Sequence, residues 1–209
     1  MMKKHAFIII LIACSYVLGL LAIPFLPDEV AIHWNVAGEA DSFINKWWGA
    51  LLFPIFLTGI VALVVFLPKV DPRKENYEKF EKVYRIFLHV FVLFLFSMYV
   101  VTLAYNIGIP VQVDVVVPIG VGMLFIVLGN YMPKIKPNYF FGIRTPWTLE
   151  NEEVWQKTHR VGGKVFVIMG IFIMLTIFAT SVWRFIFLMI IVFGGTMYLF
   201  IQSYLFSRK

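Results

Sequence analysis

Charged residues are scarce in this chain of 209 residues, since Asp, Glu, Lys and Arg make up only 14% of it. A soluble domain has about a quarter of its residues charged. Hydrophobic residues make up 61%, and the mean hydropathy is +0.86. This composition excludes an ordinary soluble domain. It predicts an all-α membrane protein with a single membrane domain over residues 1–209.

Cysteine is nearly absent, because Cys14 is the only one in the sequence. One cysteine excludes an intramolecular disulfide and argues against a structural metal site built on cysteine. Residues 11–14 resemble a lipoprotein cleavage box. The apolar run continues to Leu26, however, and is longer than the ~7–15 apolar residues of a signal peptide. We therefore expect an uncleaved first span.

Acidic residues are fewer than basic residues, 12 against 18, which gives a formal net charge of +6. A basic excess is common in proteins that bind nucleic acids, but in membrane proteins Lys and Arg collect in cytoplasmic loops. The second explanation agrees with the hydropathy. We expect no direct contact with nucleic acid.

Six apolar segments are long enough to cross a bilayer as helices, which takes about 20 residues each. Sixteen of the 18 Lys and Arg residues lie in one set of loops and termini, and only Lys46 and Arg184 lie in the other. By the positive-inside rule, both termini are cytoplasmic and the loop after the first span is external. The predicted spans cover residues of about 6–26, 48–67, 86–106, 113–132, 165–181 and 185–206.

Few polar residues fall inside the predicted spans. His89 is the clear ionisable one, and a single such residue gives little support for a small peptide exporter, which needs a polar pathway. Glycines in the later spans are expected to permit close helix packing; they are Gly120, Gly122, Gly129, Gly170, Gly194 and Gly195. Tryptophans near the span ends are expected to anchor them at the membrane interface; they are Trp47, Trp48, Trp147, Trp155 and Trp183.

The predicted external segment, residues 27–47, contains His33-Trp34-Asn35, followed by Gly38 and Asp41. This order predicts a short strand and then a turn. His33 with Asp41 offers metal ligands, but the spacing matches no standard ligand set, so we expect no metal. Two interpretations stay open: a structured loop packed on the membrane surface, or an acidic recognition surface for a cationic or amphipathic ligand.

The second polar segment, residues 138–163, lies between the fourth and fifth spans, and we call it the polar island. Thr148 is a plausible N-cap, and the acidic residues after it favour a helix start. The predicted helix runs to about Val161, ends at Gly162-Gly163 and lies at the cytoplasmic membrane interface.

Arg144 precedes Thr145-Pro146-Trp147, a turn that proline makes stiff. Its guanidinium has three predicted uses: pairing with Glu152, gripping a carboxylate or phosphate, or contacting lipid headgroups. Glu152, Trp155 and His159 fall on one helix face. A Glu152–His159 general base would suit a membrane-embedded enzyme at the inner interface, but no nucleophile, metal cluster or phosphate-binding loop accompanies it.

Two motifs together resemble the SdpI-like family, bacterial immunity proteins against a sporulation-delaying (cannibalism) peptide toxin. The first is Pro27-x-x-x-Ala-Ile-His-Trp-Asn-x-x-Gly-x-x-Asp41. The second is the run from Phe141 to Leu149, continued by Val154-Trp155 and Thr158-His159-Arg160. The six-span layout agrees as well, so the resemblance covers essentially the whole chain.

The resemblance implies a non-enzymatic immunity role in the bacterial cytoplasmic membrane, with no cofactor. The implied partners are membrane lipids, a secreted peptide toxin and a cytosolic repressor that a signalling receptor would hold at the membrane. The candidate ligand- or partner-binding residues are His33, Trp34, Asn35, Gly38, Asp41, Asn138, Gly142, Arg144, Thr145, Pro146, Trp147, Glu152, Trp155, His159 and Arg160.

Overall fold

The structure, a computed structural model, describes the backbone of residues 2–208 and the side chains of residues 5–208. Within these described residues, six helices are long and apolar enough to cross a membrane, which confirms the predicted fold class. The long helices are α1 (Met2–Ala22), α2 (Lys46–Val70), α4 (Glu81–Asn106), α5 (Val113–Tyr131), α7 (Glu152–Leu175) and α8 (Ser181–Ser207). Shorter elements are strands β1 (Glu29–Trp34) and β2 (Ala40–Asn45) and helices α3 (Glu75–Lys79) and α6 (Pro146–Glu150). The orientation in the membrane stays a prediction.

The chain divides into two compact units. The first comprises the chain up to Leu63 together with His89–Val117, and the second comprises Val64–Leu88 and the chain from Pro118 onward. The single membrane domain over residues 1–209 stays a prediction.

In the first unit, the segment after α1 is an antiparallel hairpin of β1 and β2. The predicted strand and turn are present, whereas the second strand was not expected. In the turn, the Asn35 side chain accepts hydrogen bonds from the backbone N–H groups of Ala37 and Glu39. Gly38 has a φ of 81°, in the left-handed region that favours glycine. These two residues therefore close the hairpin.

One side-chain amide fastens this hairpin to the end of α4. The Ala31 N–H donates to Asn106 Oδ1 at 2.7 Å, and Asn106 Nδ2 donates to the Ala31 carbonyl at 3.0 Å. The amide thus pairs with β1 as a neighbouring strand would. Helix α4 also contacts α2, because the Tyr99 hydroxyl donates to the Ala50 carbonyl at 2.6 Å. Both residues lie in a hydrophobic core that includes Val30 of β1.

In the second unit, glycines bring α5 and α7 into backbone contact. A Cβ on Gly170 would lie 2.5 Å from the Gly122 carbonyl oxygen, and one on Gly163 would lie 2.7 Å from the Gly129 oxygen. The packing prediction is therefore confirmed for Gly122, Gly129 and Gly170. At Gly194, in contrast, an added Cβ would meet nothing within 4 Å.

The predicted separate interfacial helix is wrong in its bounds. Helix α7 begins after Asn151, whose side chain accepts from the N–H groups of Glu153 and Val154, and it continues through Gly162-Gly163. Thr148 does not cap it. Both glycines are buried, and the absence of a side chain lets neighbouring residues pack directly against the helix backbone. Here the glycines serve helix packing and do not end the helix.

We expect Gly170→Ala to destabilise the protein, because its new methyl group meets the backbone of α5. Overpacking of this kind costs about 1–3 kcal/mol, which corresponds to a melting temperature lower by roughly 3–10 °C. The measurement is thermal unfolding of the full chain in detergent. Gly194→Ala is the matched control and should melt at or slightly above the wild-type temperature. Equal losses in both variants would contradict this contact.

Candidate binding site

The predicted external residues occupy one end of the hairpin. His33 Nδ1 lies 2.6 Å from Asp41 Oδ1, and the two side chains are 67% and 42% exposed. Asn35 Nδ2 donates to Glu39 at 3.1 Å. Across the part of the chain that the structure describes, no group of three or more His, Cys, Asp or Glu side chains could hold a metal ion. The exposed His33–Asp41 pair is therefore accessible to a ligand at this end of the hairpin.

Other hairpin residues shape the site. The Trp34 ring packs edge-on against Tyr105, with 5.2 Å between ring centroids. A side chain on Gly38 would collide with Asp114, since its Cβ would lie 2.9 Å from the aspartate Cβ. Trp34, Asn35 and Gly38 thus fix the shape of the hairpin, and they leave His33 and Asp41 facing outward.

In the polar island, Asn138 is completely buried and makes five hydrogen bonds. Its Oδ1 accepts from the N–H groups of Phe140 and Phe141, at 3.0 and 2.6 Å, and from the Tyr77 hydroxyl at 3.2 Å. Its Nδ2 donates to the carbonyls of Lys136 and Phe141, both at 2.9 Å. Every donor and acceptor of this amide is used to fold the chain around it.

Asp71, buried beside this asparagine, was missed by the sequence analysis. Its carboxylate accepts from Arg73 N–H at 2.7 Å, from Tyr139 N–H at 2.9 Å and from the Tyr77 hydroxyl at 3.0 Å. Burial, together with the hydrogen bond to Asp71, raises the pKa of Tyr77 far above its ordinary value. The Tyr77 hydroxyl therefore stays protonated and joins the two buried acceptors. The only local signal was Asp71-Pro72, which is typical of a turn.

Arg73 also joins the loop before α3 to the polar island. Its Nη2 donates to the Leu149 carbonyl at 2.7 Å, and its guanidinium lies 5.2 Å from the centre of the Tyr139 ring. The segment between α2 and α3 is thus part of the site.

His159 is completely buried and stacks on Trp155, with ring centroids 4.1 Å apart. Its Nε2 accepts from Ile143 N–H at 3.0 Å, and Nδ1 lies 2.8 Å from the Trp155 carbonyl, to which it donates. This arrangement defines a neutral imidazole with both nitrogens engaged by backbone. Gly142, with a φ of 105°, is required here because a Cβ would strike His159.

Helix α7 keeps Glu152, Trp155 and His159 at the predicted spacing, but the predicted Glu152–His159 pair is not formed. Glu152 is exposed, whereas Trp155 and His159 are buried, and no hydrogen bond joins Glu152 to His159 among the described residues. Trp155 is not an interfacial anchor either, because its ring N–H donates to the Ile135 carbonyl at 2.9 Å.

The turn around Arg144 is built as a helix start. Thr145 and Thr148 form a capping box for α6, and Pro146 is its first residue. Trp147 is half-buried and packs against Phe200 and Tyr204 of α8, and its role as an interfacial anchor stays a prediction.

Arg144 itself is exposed and does not pair with Glu152. Its Nη1 donates to the Tyr139 carbonyl at 2.6 Å, which leaves most of the guanidinium open to a ligand. Arg160, on α7, is exposed as well. Among the predicted site residues of the polar island, Arg144, Glu152 and Arg160 are the exposed charged ones.

The hairpin, the buried asparagine network and the six long helices define a multi-pass helical membrane protein with two structured polar segments. Residues 134–203, which include the polar island, match the SdpI/YfhL protein family. Residues 10–58, which include the hairpin, match a domain of unknown function, DUF1648.

Similarity to individual proteins points the same way. The chain is 26% identical over 208 residues to the Immunity protein SdpI of Bacillus subtilis (strain 168), covering 100% of this chain and 98% of that protein. It is 31% identical over 46 residues to the Uncharacterized membrane protein YbgB of the same organism, covering 22% of this chain and 50% of that protein. No solved structure matches the chain significantly. These matches confirm the resemblance to the SdpI-like family, and the chain is a multi-pass bacterial membrane protein.

We expect Asn138→Ala to unfold the polar island, because the substitution removes five hydrogen bonds, four of them to backbone groups. The cost is about 3–5 kcal/mol, since each buried group left unpaired contributes on the order of 1–3 kcal/mol. The measurement is thermal unfolding in detergent, together with proteolysis of the island. Asn130→Ala is the control, because Asn130 is exposed and makes one bond, to the Ile126 carbonyl at 2.9 Å. A similar stability for the two variants would refute the role of Asn138.

Proposed function

We propose that this protein is an integral membrane immunity protein that protects its cell against a secreted antimicrobial peptide. The observation that carries the proposal is the similarity to the Immunity protein SdpI, which extends over 100% of this chain and 98% of that protein. Similarity of this extent includes both polar segments as well as the spans. The protein would therefore keep both the surface that meets the peptide and the framework that supports it.

The hairpin is the part of the site best suited to meet the peptide. On the predicted topology it faces outside, where a secreted peptide arrives. Acidic residues outnumber basic residues in and beside the hairpin, which favours a cationic or amphipathic peptide. The acidic residues are Asp28, Glu29, Glu39 and Asp41, and the basic residue is Lys46. Asn106 and the turn hold it in one shape, so little ordering is needed when the peptide binds.

A non-enzymatic mechanism is supported by the polar island. The general base that the enzyme alternative needs is His159, and both of its ring nitrogens are engaged by backbone groups. The exporter alternative needs a polar pathway, and the ring of its candidate residue His89 packs against Phe7, with 5.4 Å between centroids. Neither alternative has support comparable to the similarity over the whole chain.

We expect expression of the wild-type protein to protect sensitive bacteria from a purified sporulation-delaying peptide, measured as a higher inhibitory concentration. His33→Ala should lower that protection about tenfold or more, because it removes the more exposed member of the His33–Asp41 pair and the hydrogen bond between them. Membrane levels of each variant are measured in parallel.

The matched control is Ser42→Ala, since Ser42 is exposed and lies opposite His33 in the hairpin register. It should protect as well as wild type. No protection by a well-expressed, membrane-inserted wild type would refute the immunity function. Equal protection by His33→Ala and wild type would refute the hairpin as the peptide contact.

We further propose that the exposed part of the polar island contacts a cytosolic repressor, as in the family's signalling receptors. Its support is a surface on which Arg144 stands beside Tyr139 and Phe140, aromatic residues that are 39% and 37% exposed. Exposed aromatic and arginine side chains are typical of protein interfaces.

Peptide treatment should then move a fluorescently tagged repressor to the membrane. Arg144→Ala should reduce that movement while leaving peptide resistance unchanged, because the side chain is exposed and holds no buried group. Fluorescence microscopy of cells with and without the peptide measures the movement of the repressor, and the inhibitory concentration measures resistance. An unchanged distribution in wild-type cells would refute the receptor role without affecting the immunity function.

A further inference from the structure

A cavity of about 790 Å³ lies in the second unit, where α4 begins and α5 ends. Neither the immunity function nor the receptor function uses it. Its polar lining comes from four lysines and two glutamates, namely Lys79, Lys82, Lys134, Lys136, Glu78 and Glu81. Positive charge therefore exceeds negative charge, so the cavity favours an anion.

The same cavity also has an apolar lining, formed by Phe80, Val83, Ile86, Tyr131 and Pro133. Several of these residues belong to helices that are apolar enough to span the membrane. A free anion in water would gain nothing from this lining. A molecule with an anionic head and a hydrocarbon tail matches both parts, and a volume of this size is within the usual range of ~300–1,000 Å³ for ligand sites.

The position of the cavity along the helices agrees with such a ligand. Helix α4 starts at Glu81, and the span that contains α5 ends at Lys134, so the cavity lies where apolar helix gives way to charged loop. This is the level of lipid headgroups in a bilayer. On the predicted topology it is also the cytoplasmic leaflet, where anionic lipids attract clustered lysines.

The surrounding structure contacts the side chain of Lys134 and the backbone of Lys136. The Lys134 ammonium lies 5.2 Å from the centre of the Tyr131 ring, and the Lys136 carbonyl accepts from the buried Asn138 amide at 2.9 Å. The Lys134 side chain and the Lys136 backbone are thus placed before any ligand arrives, which reduces the ordering cost of binding.

We propose that this cavity binds the headgroup of an anionic phospholipid, with Lys134 and Lys136 at the phosphate. The acyl chains would follow Val83 and Ile86 along α4 into the membrane. The site would couple the polar island to the lipid composition of the leaflet, since the lysine-bearing segment leads directly to Asn138.

The test uses the full-length protein in detergent with three probes: phosphatidylglycerol, phosphatidylcholine and inorganic phosphate. Native mass spectrometry measures lipid retention, and thermal unfolding measures stabilisation. Phosphatidylglycerol should be retained and should raise the melting temperature by several degrees. Phosphatidylcholine and inorganic phosphate should each have a much smaller effect.

Two variants localise the binding. Lys134→Ala/Lys136→Ala should weaken phosphatidylglycerol binding roughly tenfold or more, since it removes the two lysines placed at the phosphate. Lys74→Ala/Lys164→Ala removes the same charge from two exposed positions outside the cavity and should bind like wild type.

Three results would overturn the proposal. Equal retention of phosphatidylglycerol and phosphatidylcholine by the wild type would show that the cavity does not select an anionic headgroup. This measurement does not depend on whether any variant folds. Equal stabilisation by inorganic phosphate would assign the cavity to a soluble anion. Equal weakening in both double variants would mean that general surface charge attracts the lipid.

Discussion

Backbone groups that leave a helix or a strand ladder must still find hydrogen-bonding partners, and in this protein asparagine side chains supply many of them. The amide is suited to the task because it both donates and accepts, as a peptide group does. Asn106 pairs with the backbone of Ala31 and fixes the hairpin. Asn138 satisfies backbone groups on both sides of itself in the polar island. Asn151 provides the cap from which α7 starts.

The candidate site therefore contains two groups of residues: buried ones that stabilise the local fold and exposed ones that can contact a ligand. Asn138, Trp155 and His159 hold the polar island together from inside, and their hydrogen bonds are already made within the chain. Arg144 and His33 stand on the outside with most of their polar atoms exposed. A motif that marks a family can therefore consist largely of residues that specify local folding, with contact residues placed among them.

The helices could be predicted from the sequence because hydropathy over about 20 residues reports directly on the membrane. The strand at His33 could also be predicted, since its boundaries carry turn residues. Contacts between distant residues could not be predicted. Asp71 appeared to be an ordinary loop charge, because its partner Tyr139 lies 68 residues further along the chain. Gly162-Gly163 carries the usual sign of a helix end, and only tertiary packing, of Gly162 on Ile143 and of Gly163 on α5, distinguishes these contact glycines from terminating ones.

The continuity of α7 has a mechanical consequence. At 1.5 Å per residue, its 24 residues form a rod about 36 Å long. A break at Gly162-Gly163 would have allowed the island to swing independently of the span. Because there is no break, Trp155 and His159 are fixed on the same cylinder as the segment that crosses the membrane. Any tilt or rotation of that segment therefore also displaces the stacked rings of Trp155 and His159, because the helix moves as one rigid body.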